Sequence, residues 1–198
     1  MKLFYTKTSP FSACVRATIA ELNAEQQIDF CESSPFDNDK DFLAVNPLGK
    51  IPCLVDNQEP ILDSEVICDY LDANISGGTL FEAVYADWKL KTFYSICSGL
   101  IDCSVSLRFE IMKEEEGAKS EYWCQRHSSA IERTLIEVEK RLSQLPENFS
   151  IIHIALFCAL GYIDFRHSNI QWRTERTQLA EFYDSLKERA CFVAAQYS

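Results

Sequence analysis

The spacing of apolar and polar positions changes along this chain, and the changes divide it in two. Lys2–Tyr5 is a short, partly alternating segment that fits a first strand. Ser9-Pro10 then opens a helix, since Ser is a preferred N-cap and Pro is favoured at the first helical position. Within the helix Phe11–Asn23, Val15, Ile19 and Leu22 share one face. Gln27–Glu32 alternates and predicts a second strand; Ser33–Asn38 predicts a loop and Asp39–Val45 a short helix. Ile51–Val55 and Pro60–Leu62 predict a third and fourth strand joined by a turn at Asp56-Asn57, and Glu65–Ala73 predicts a helix with Val66, Ile67, Tyr70 and Leu71 on its apolar face.

Beyond the glycine-containing stretch Ser76-Gly77-Gly78-Thr79 everything carries a helical pattern. Phe81 to about Glu116 predicts one long helix and Ser120–Leu145 a second, which Pro146 breaks. Ser150–Phe165 is apolar on nearly every side and predicts a buried central helix, with Phe149 and Ile154 placed as a hydrophobic staple around its N-cap. A last helix is expected from about Arg176 to Arg189. The order is a small α/β unit followed by an all-helical one.

Composition narrows the function classes without choosing one. In 198 residues, 47% are hydrophobic and 25% charged, the proportions of an ordinary globular protein. The formal net charge is −11 with no basic patch, which argues against nucleic acid as a partner. No apolar run has the length to span a bilayer, and Met1–Tyr5 runs directly into strand-like sequence without a signal-peptide pattern, so a cytoplasmic location is expected. The nine cysteines are scattered, contain no C-x-x-C pair and form no metal pattern with the three histidines, His127, His153 and His167; they read as mostly buried free thiols in a reducing cytosol.

The stretch Asn46-Pro47-Leu48-Gly49-Lys50-Ile51-Pro52-Cys53-Leu54-Val55 sits between two helix starts with chemical potential. A helix N-terminus carries partial positive charge and spare N–H donors, so Ser9 stands where an anion such as a thiolate is stabilised. Ser9 can donate a hydrogen bond to that thiolate but cannot form a disulfide. Asp63-Ser64 begins another helix, where Ser64 and the local N–H groups suit a carboxylate and Asp63 suits an ammonium group. Ile51, ahead of Pro52, is restricted to extended backbone and can pair with an extended peptide. Helix capping alone also accounts for Ser9, Asp63 and Ser64.

In order and spacing, Ser9-Pro10-Phe11, Asn46–Leu54, Leu62-Asp63-Ser64 and Asp69-Tyr70-Leu71 closely resemble the N-terminal domain of cytosolic glutathione transferases, in particular bacterial members with a Ser-Pro-Phe start. Ser150–Arg166 is similar to that family's capped core helix. The resemblance implies a thioredoxin-like α/β domain over residues 1–76, a linker over 77–84 and an all-α helical bundle over 85–198. It implies a cis Ile51–Pro52 bond, backbone pairing of Ile51 with the cysteinyl part of glutathione, and Asp63 and Ser64 on the γ-glutamyl group. It places Ser9 as the thiolate-stabilising residue, with Tyr5 a lower-ranked alternative. The implied protein is a homodimeric detoxification enzyme with glutathione as co-substrate, a small electrophile as the other substrate, and no metal, nucleic acid or membrane partner. Two other roles stay open: a non-catalytic regulator resembling stringent starvation protein that binds RNA polymerase, and a glutathione-dependent reductase or peroxidase. Three positions depart from the family pattern. His153 replaces the acidic partner of the core-helix capping box, no Cys occupies position 9, and Arg189-Ala190-Cys191-Phe192 stands where relatives often have Arg-Pro-Ser-Phe. Tyr94, Asp102 and Arg108 are polar groups on the first long helix of the second half and are assigned no role.

Overall fold

The computed structural model describes residues 1–37 and 39–198, which form two units: Met1–Glu82 with Glu188–Ser198, and Ala83–Lys187. The first unit is built on a four-stranded sheet in the order β2-β1-β3-β4. β1 (Lys2–Tyr5) pairs in parallel with β2 (Asp29–Glu32), and a parallel pair requires a crossover, which α1 (Pro10–Glu21) supplies. On its other edge β1 pairs antiparallel with β3 (Cys53–Asp56), which pairs antiparallel with β4 (Glu59–Leu62). The β3–β4 hairpin turns at Asn57 and Gln58, both at positive φ, the conformation that matches a two-residue turn to the strand twist. α2 (Lys40–Val45) packs Phe42 onto Phe4 and Cys53, and Val45, Ile51, Val55 and Leu62 close around them. This is the thioredoxin-like α/β domain.

Helix α1 is buried along most of its length and packs against α3 (Ser64–Ile75) and the terminal α10 (Ala190–Ala194). Arg16 fixes the chain end, donating from Nη2 to the carbonyls of Ala195 (2.8 Å) and Gln196 (2.9 Å). The sequence pattern assigns these last residues to the helical half, whereas their contacts lie in the first unit. The segment after α3 is held by Asp72, which is fully buried. Its Oδ1 accepts from Leu80 N–H (3.1 Å) and the Ser76 hydroxyl, and its Oδ2 from Phe81 N–H (2.9 Å).

The second unit is all-helical. After α4 (Glu82–Ala86), α5 (Trp88–Met112) packs along α6 (Glu121–Arg141) and α7 (Ile151–Arg166), and the short α8 (Trp172–Glu175) and α9 (Thr177–Leu186) follow. α7 buries Ile151, Ile152 and Ile154 through Ile163. Each large apolar side chain so buried contributes about 1.5–3 kcal/mol, which makes α7 the core of this unit. At its N-terminus Ser150 N–H donates to His153 Nδ1 at 3.2 Å, so an imidazole nitrogen serves where a carboxylate usually does.

Several elements differ from the sequence pattern. The strand expected over Ile51–Val55 runs from Cys53 to Asp56, because pairing with β1 and β4 begins only at Cys53, after the cis Ile51–Pro52 bond. The strand expected over Gln27–Glu32 begins at Asp29, because Glu25–Gln27 closes a 3-10 turn instead. The single helix expected from Phe81 to about Glu116 is two, because Asp87 turns its side chain onto Lys89 N–H (2.8 Å) and starts a new helix. The helix expected over Arg176–Arg189 stops at Leu186. The loop expected over Ser33–Asn38 includes Asn38, which lies outside the described residues.

Candidate functional site

The register of the sheet decides which loops meet. Phe4 lies opposite Cys53, and Cys53 opposite Leu62. The C-terminal end of β1, the N-terminal end of β3 and the C-terminal end of β4 therefore share one end of the sheet. There the chain leaves β1 toward Ser9, enters β3 through Ile51-Pro52, and leaves β4 into Asp63-Ser64. The three segments singled out in the sequence are brought together by strand pairing alone.

Ser9 caps α1. Its Oγ accepts from Ser12 N–H (3.2 Å), and its carbonyl from Ala13 N–H (2.9 Å). The hydroxyl proton has no acceptor among the described residues. Ser12, fully buried, also ties down the preceding loop, its Oγ accepting from Thr6 N–H at 3.4 Å. With Pro10 at the first helical position, one of the orphan N–H groups is already absent, and the rest face the Ser9 end.

The Ile51–Pro52 peptide bond is cis, and Pro52 is buried. Ile51 packs its side chain into the Phe4–Phe42–Cys53 cluster and lies ahead of the paired residues of β3, which begin at Cys53. Its backbone forms no hydrogen bond among the described residues outside the strand ladders. Asn46 organises the approach to Ile51: its N–H donates to Phe42 O (2.9 Å) and its carbonyl accepts from Gly49 N–H (3.1 Å). Its side-chain Oδ1 accepts from Leu48 N–H (3.0 Å) and its Nδ2 donates to Lys50 O (2.6 Å).

Asp63 caps α3. Its Oδ1 accepts from Glu65 N–H (2.9 Å), and its backbone sits at φ 76, ψ 135. A non-glycine residue there is costly, on the order of 1–3 kcal/mol, and such residues concentrate at functional sites. Ser64, the first residue of α3, is half-buried, and its hydroxyl has no partner among the described residues.

The alternative residues are placed differently. Tyr5 is 9% exposed, with its ring edge on Phe30 (5.7 Å between centroids) and the Arg16 guanidinium over its face (5.7 Å). Cys14 is buried within α1. Burial pushes the Cys53 thiol up to about 11, so it stays protonated and is no nucleophile. In the second unit Tyr94 is buried on α5, Arg108 half-buried and Asp102 exposed.

The profile of the glutathione S-transferase N-terminal domain matches residues 3–78, and that of the C-terminal domain residues 121–185. A glutathione transferase family member from Pseudomonas fluorescens Pf-5, solved with bound glutathione, is 32% identical to this chain. The two superpose with a TM-score of 0.88 over 100% of this chain and 98% of that one. The chain belongs to the glutathione S-transferase family. Among the glutathione S-transferases and their relatives it is also similar to the uncharacterized GST-like protein YibF of Escherichia coli K12, 27% identical over 99% of this chain and 98% of YibF. A stringent starvation protein A homolog from Haemophilus ducreyi is 35% identical, but over 36% of this chain and 33% of its own length.

Two residues that shape this end of the transferase sheet are not prominent in the sequence. Asn46 reads only as the head of a turn, although an Asn two residues before a tight-turn N–H is a known side-chain acceptor pattern. Ser12 is one more small residue in a helix, and nothing in its spacing marks its bond to Thr6.

Proposed function

We propose that this protein binds glutathione at the shared end of its sheet and conjugates the glutathione thiolate to a small electrophile. The observation that carries the reading is that the register gathers one end of three segments, whose Ser9 hydroxyl proton, Ile51 backbone and Ser64 hydroxyl take no partner among the described residues outside the strand ladders. In the extended tripeptide, Ile51 suits the main chain of the central cysteine, and Ser64 with the α3 N-terminus suits a carboxylate. Asp63 Oδ2, which takes no bond among the described residues, suits the ammonium group of the γ-glutamyl end. Glutathione bound to the Pseudomonas relative supports the same ligand here.

The chemistry asked of the chain is modest. Ser9 donates its hydroxyl proton in a hydrogen bond to the thiolate while Ser12 N–H holds the hydroxyl oxygen from behind. A hydrogen bond to the charged form lowers the thiol pKa, and the positive end of α1 acts in the same direction. The thiol gives its proton to water, the sulfur forms a bond to the electrophilic carbon, and the leaving group departs with its electron pair.

Retention on immobilised glutathione, followed by conjugation to a general aromatic electrophile, tests the reading on wild type and Ser9→Ala. Retention and turnover, with turnover lost on Ser9→Ala, are expected. Absence of retention would refute the binding, and retention without turnover would leave a non-catalytic relative. An unchanged rate for Ser9→Ala would shift the role to Tyr5, and Tyr5→Phe would then be the variant that loses it.

A further inference from the structure

We infer that Asn46 is a positioning residue for glutathione, acting through the Lys50–Ile51 peptide and without touching the ligand. The inference rests on the proposed pairing of glutathione with the Ile51 backbone. Asn46 is 1% exposed, and each of its polar groups is engaged. The amide orientation is fixed by its partners: Leu48 offers an N–H and Lys50 a carbonyl, so Oδ1 must face the first and Nδ2 the second.

The consequence lies one atom further along. Lys50–Ile51 is an ordinary trans peptide, and across such a unit C=O and N–H point in opposite directions. With Lys50 C=O drawn to Asn46 at 2.6 Å, the Ile51 N–H is turned to the opposite side of the same plane. The Ile51 side chain pins the rotation from the other end by packing against Phe4, Phe42 and Cys53. Asn46 itself cannot swing, because its main chain closes α2 on Phe42 and holds the Gly49 turn. The turn places Gly49 at φ 61, a backbone conformation that glycine adopts without the steric cost other residues meet. A buried side chain that satisfies one carbonyl thus aims the next N–H, and that N–H is one half of the pairing edge offered to a peptide.

Two substitutions separate aiming from simple loop stability. In Asn46→Asp, Oδ1 still accepts from Leu48 N–H, but a carboxylate oxygen confronts Lys50 C=O and repels it. In Asn46→Ala both side-chain bonds vanish. Calorimetric titration with reduced glutathione is expected to give a Kd about tenfold higher for either variant, the size of one main-chain hydrogen bond misdirected. In conjugation assays the loss should fall on KM for glutathione, with kcat at saturating glutathione changed less than about twofold, as expected for loss of binding shared by ground and transition states. Wild-type amide exchange supplies a readout that needs no variant to fold. Ile51 N–H should exchange freely without ligand and slow at least about tenfold with saturating glutathione, while Leu48 N–H stays protected in both states. A wild-type protein that binds no glutathione would take down the ligand assignment and this inference together. Glutathione binding with an unaltered Kd in a folded Asn46→Asp or Asn46→Ala variant, or an Ile51 N–H already protected without ligand, would overturn the role of Asn46 alone.

Discussion

Replacing Ser9 by Ala separates two jobs that one hydroxyl does, and the structure sets a size for each. As an N-cap, Oγ accepts one hydrogen bond, from Ser12 N–H at 3.2 Å. Losing such a cap costs ~1 kcal/mol of stability, and it should appear as a lower midpoint in chemical denaturation with an unchanged slope. As a donor to a bound thiolate, the same hydroxyl makes a charged hydrogen bond, worth ~1.5–3 kcal/mol. That energy favours the deprotonated form only, so its loss raises the thiol pKa by about one to two units. Below the wild-type pKa the thiolate fraction, and the conjugation rate, should fall about ten- to a hundredfold; between the two pKa values the difference should shrink, and at high pH wild type and variant should converge. The assay is conjugation under saturating glutathione across a pH series, beside a spectroscopic titration of the bound thiol. Ser9→Thr keeps both cap and donor and should restore most of the wild-type profile. A Ser9→Ala protein that loses the cap energy while its pH midpoint moves by less than about half a unit would refute the donor role and leave Ser9 a structural cap.

Further expectations follow from other parts of the chain. Ser64→Ala should weaken glutathione binding by ~1–3 kcal/mol, the cost of leaving a charged partner short of one hydrogen bond, and an unchanged Kd would remove Ser64 from the site. Asp72→Asn can satisfy the Leu80 side or the Phe81 side of its network but not both; about 3 kcal/mol of stability should be lost in urea denaturation, and a loss below ~1 kcal/mol would contradict the network. Burial, with Arg108 and Arg166 nearby, holds His167 below its ordinary value of 6.5, while its Nε2 meets Ser104 O at 2.8 Å. Its contribution is therefore fully present above 6.5 and is lost as the pH falls from there toward the depressed folded value, because the unfolded chain takes up the proton first. Denaturation midpoints over this range should show that slope in wild type and a smaller one in His167→Gln; equal slopes would contradict it.

Much of the fold is legible in the sequence because its signals are local. Ser9-Pro10 starts α1 by the chemistry of a cap and a proline, and the mostly apolar run after Ser150 announces α7. What is not legible depends on partners distant in sequence or on side chains with two uses. Asp87 is tolerable inside a helix and good at starting one, and only the structure shows it bonded to Lys89 N–H. Gln27–Glu32 alternates along its whole length, but pairing with β1 begins at Asp29, where the parallel register with Lys2 starts. The arginine at position 16 gives no hint that it closes the chain's last turn, some 180 residues away. For the site, residue types and order suit a peptide ligand, while convergence on one end of the sheet requires the antiparallel register of β3 with both β1 and β4. Asn46 is not legible in the same way, because its bond to the Lys50 carbonyl is set by the folded turn.

The most direct test is to titrate isotope-labelled protein with reduced glutathione and follow every backbone amide. Saturable shifts centred on Ser9, Ile51 and the Asp63–Glu65 turn, with the far end of the sheet around Asp56–Glu59 undisturbed, are the predicted result. Shifts absent at saturating glutathione, or centred away from that end of the sheet, would contradict it.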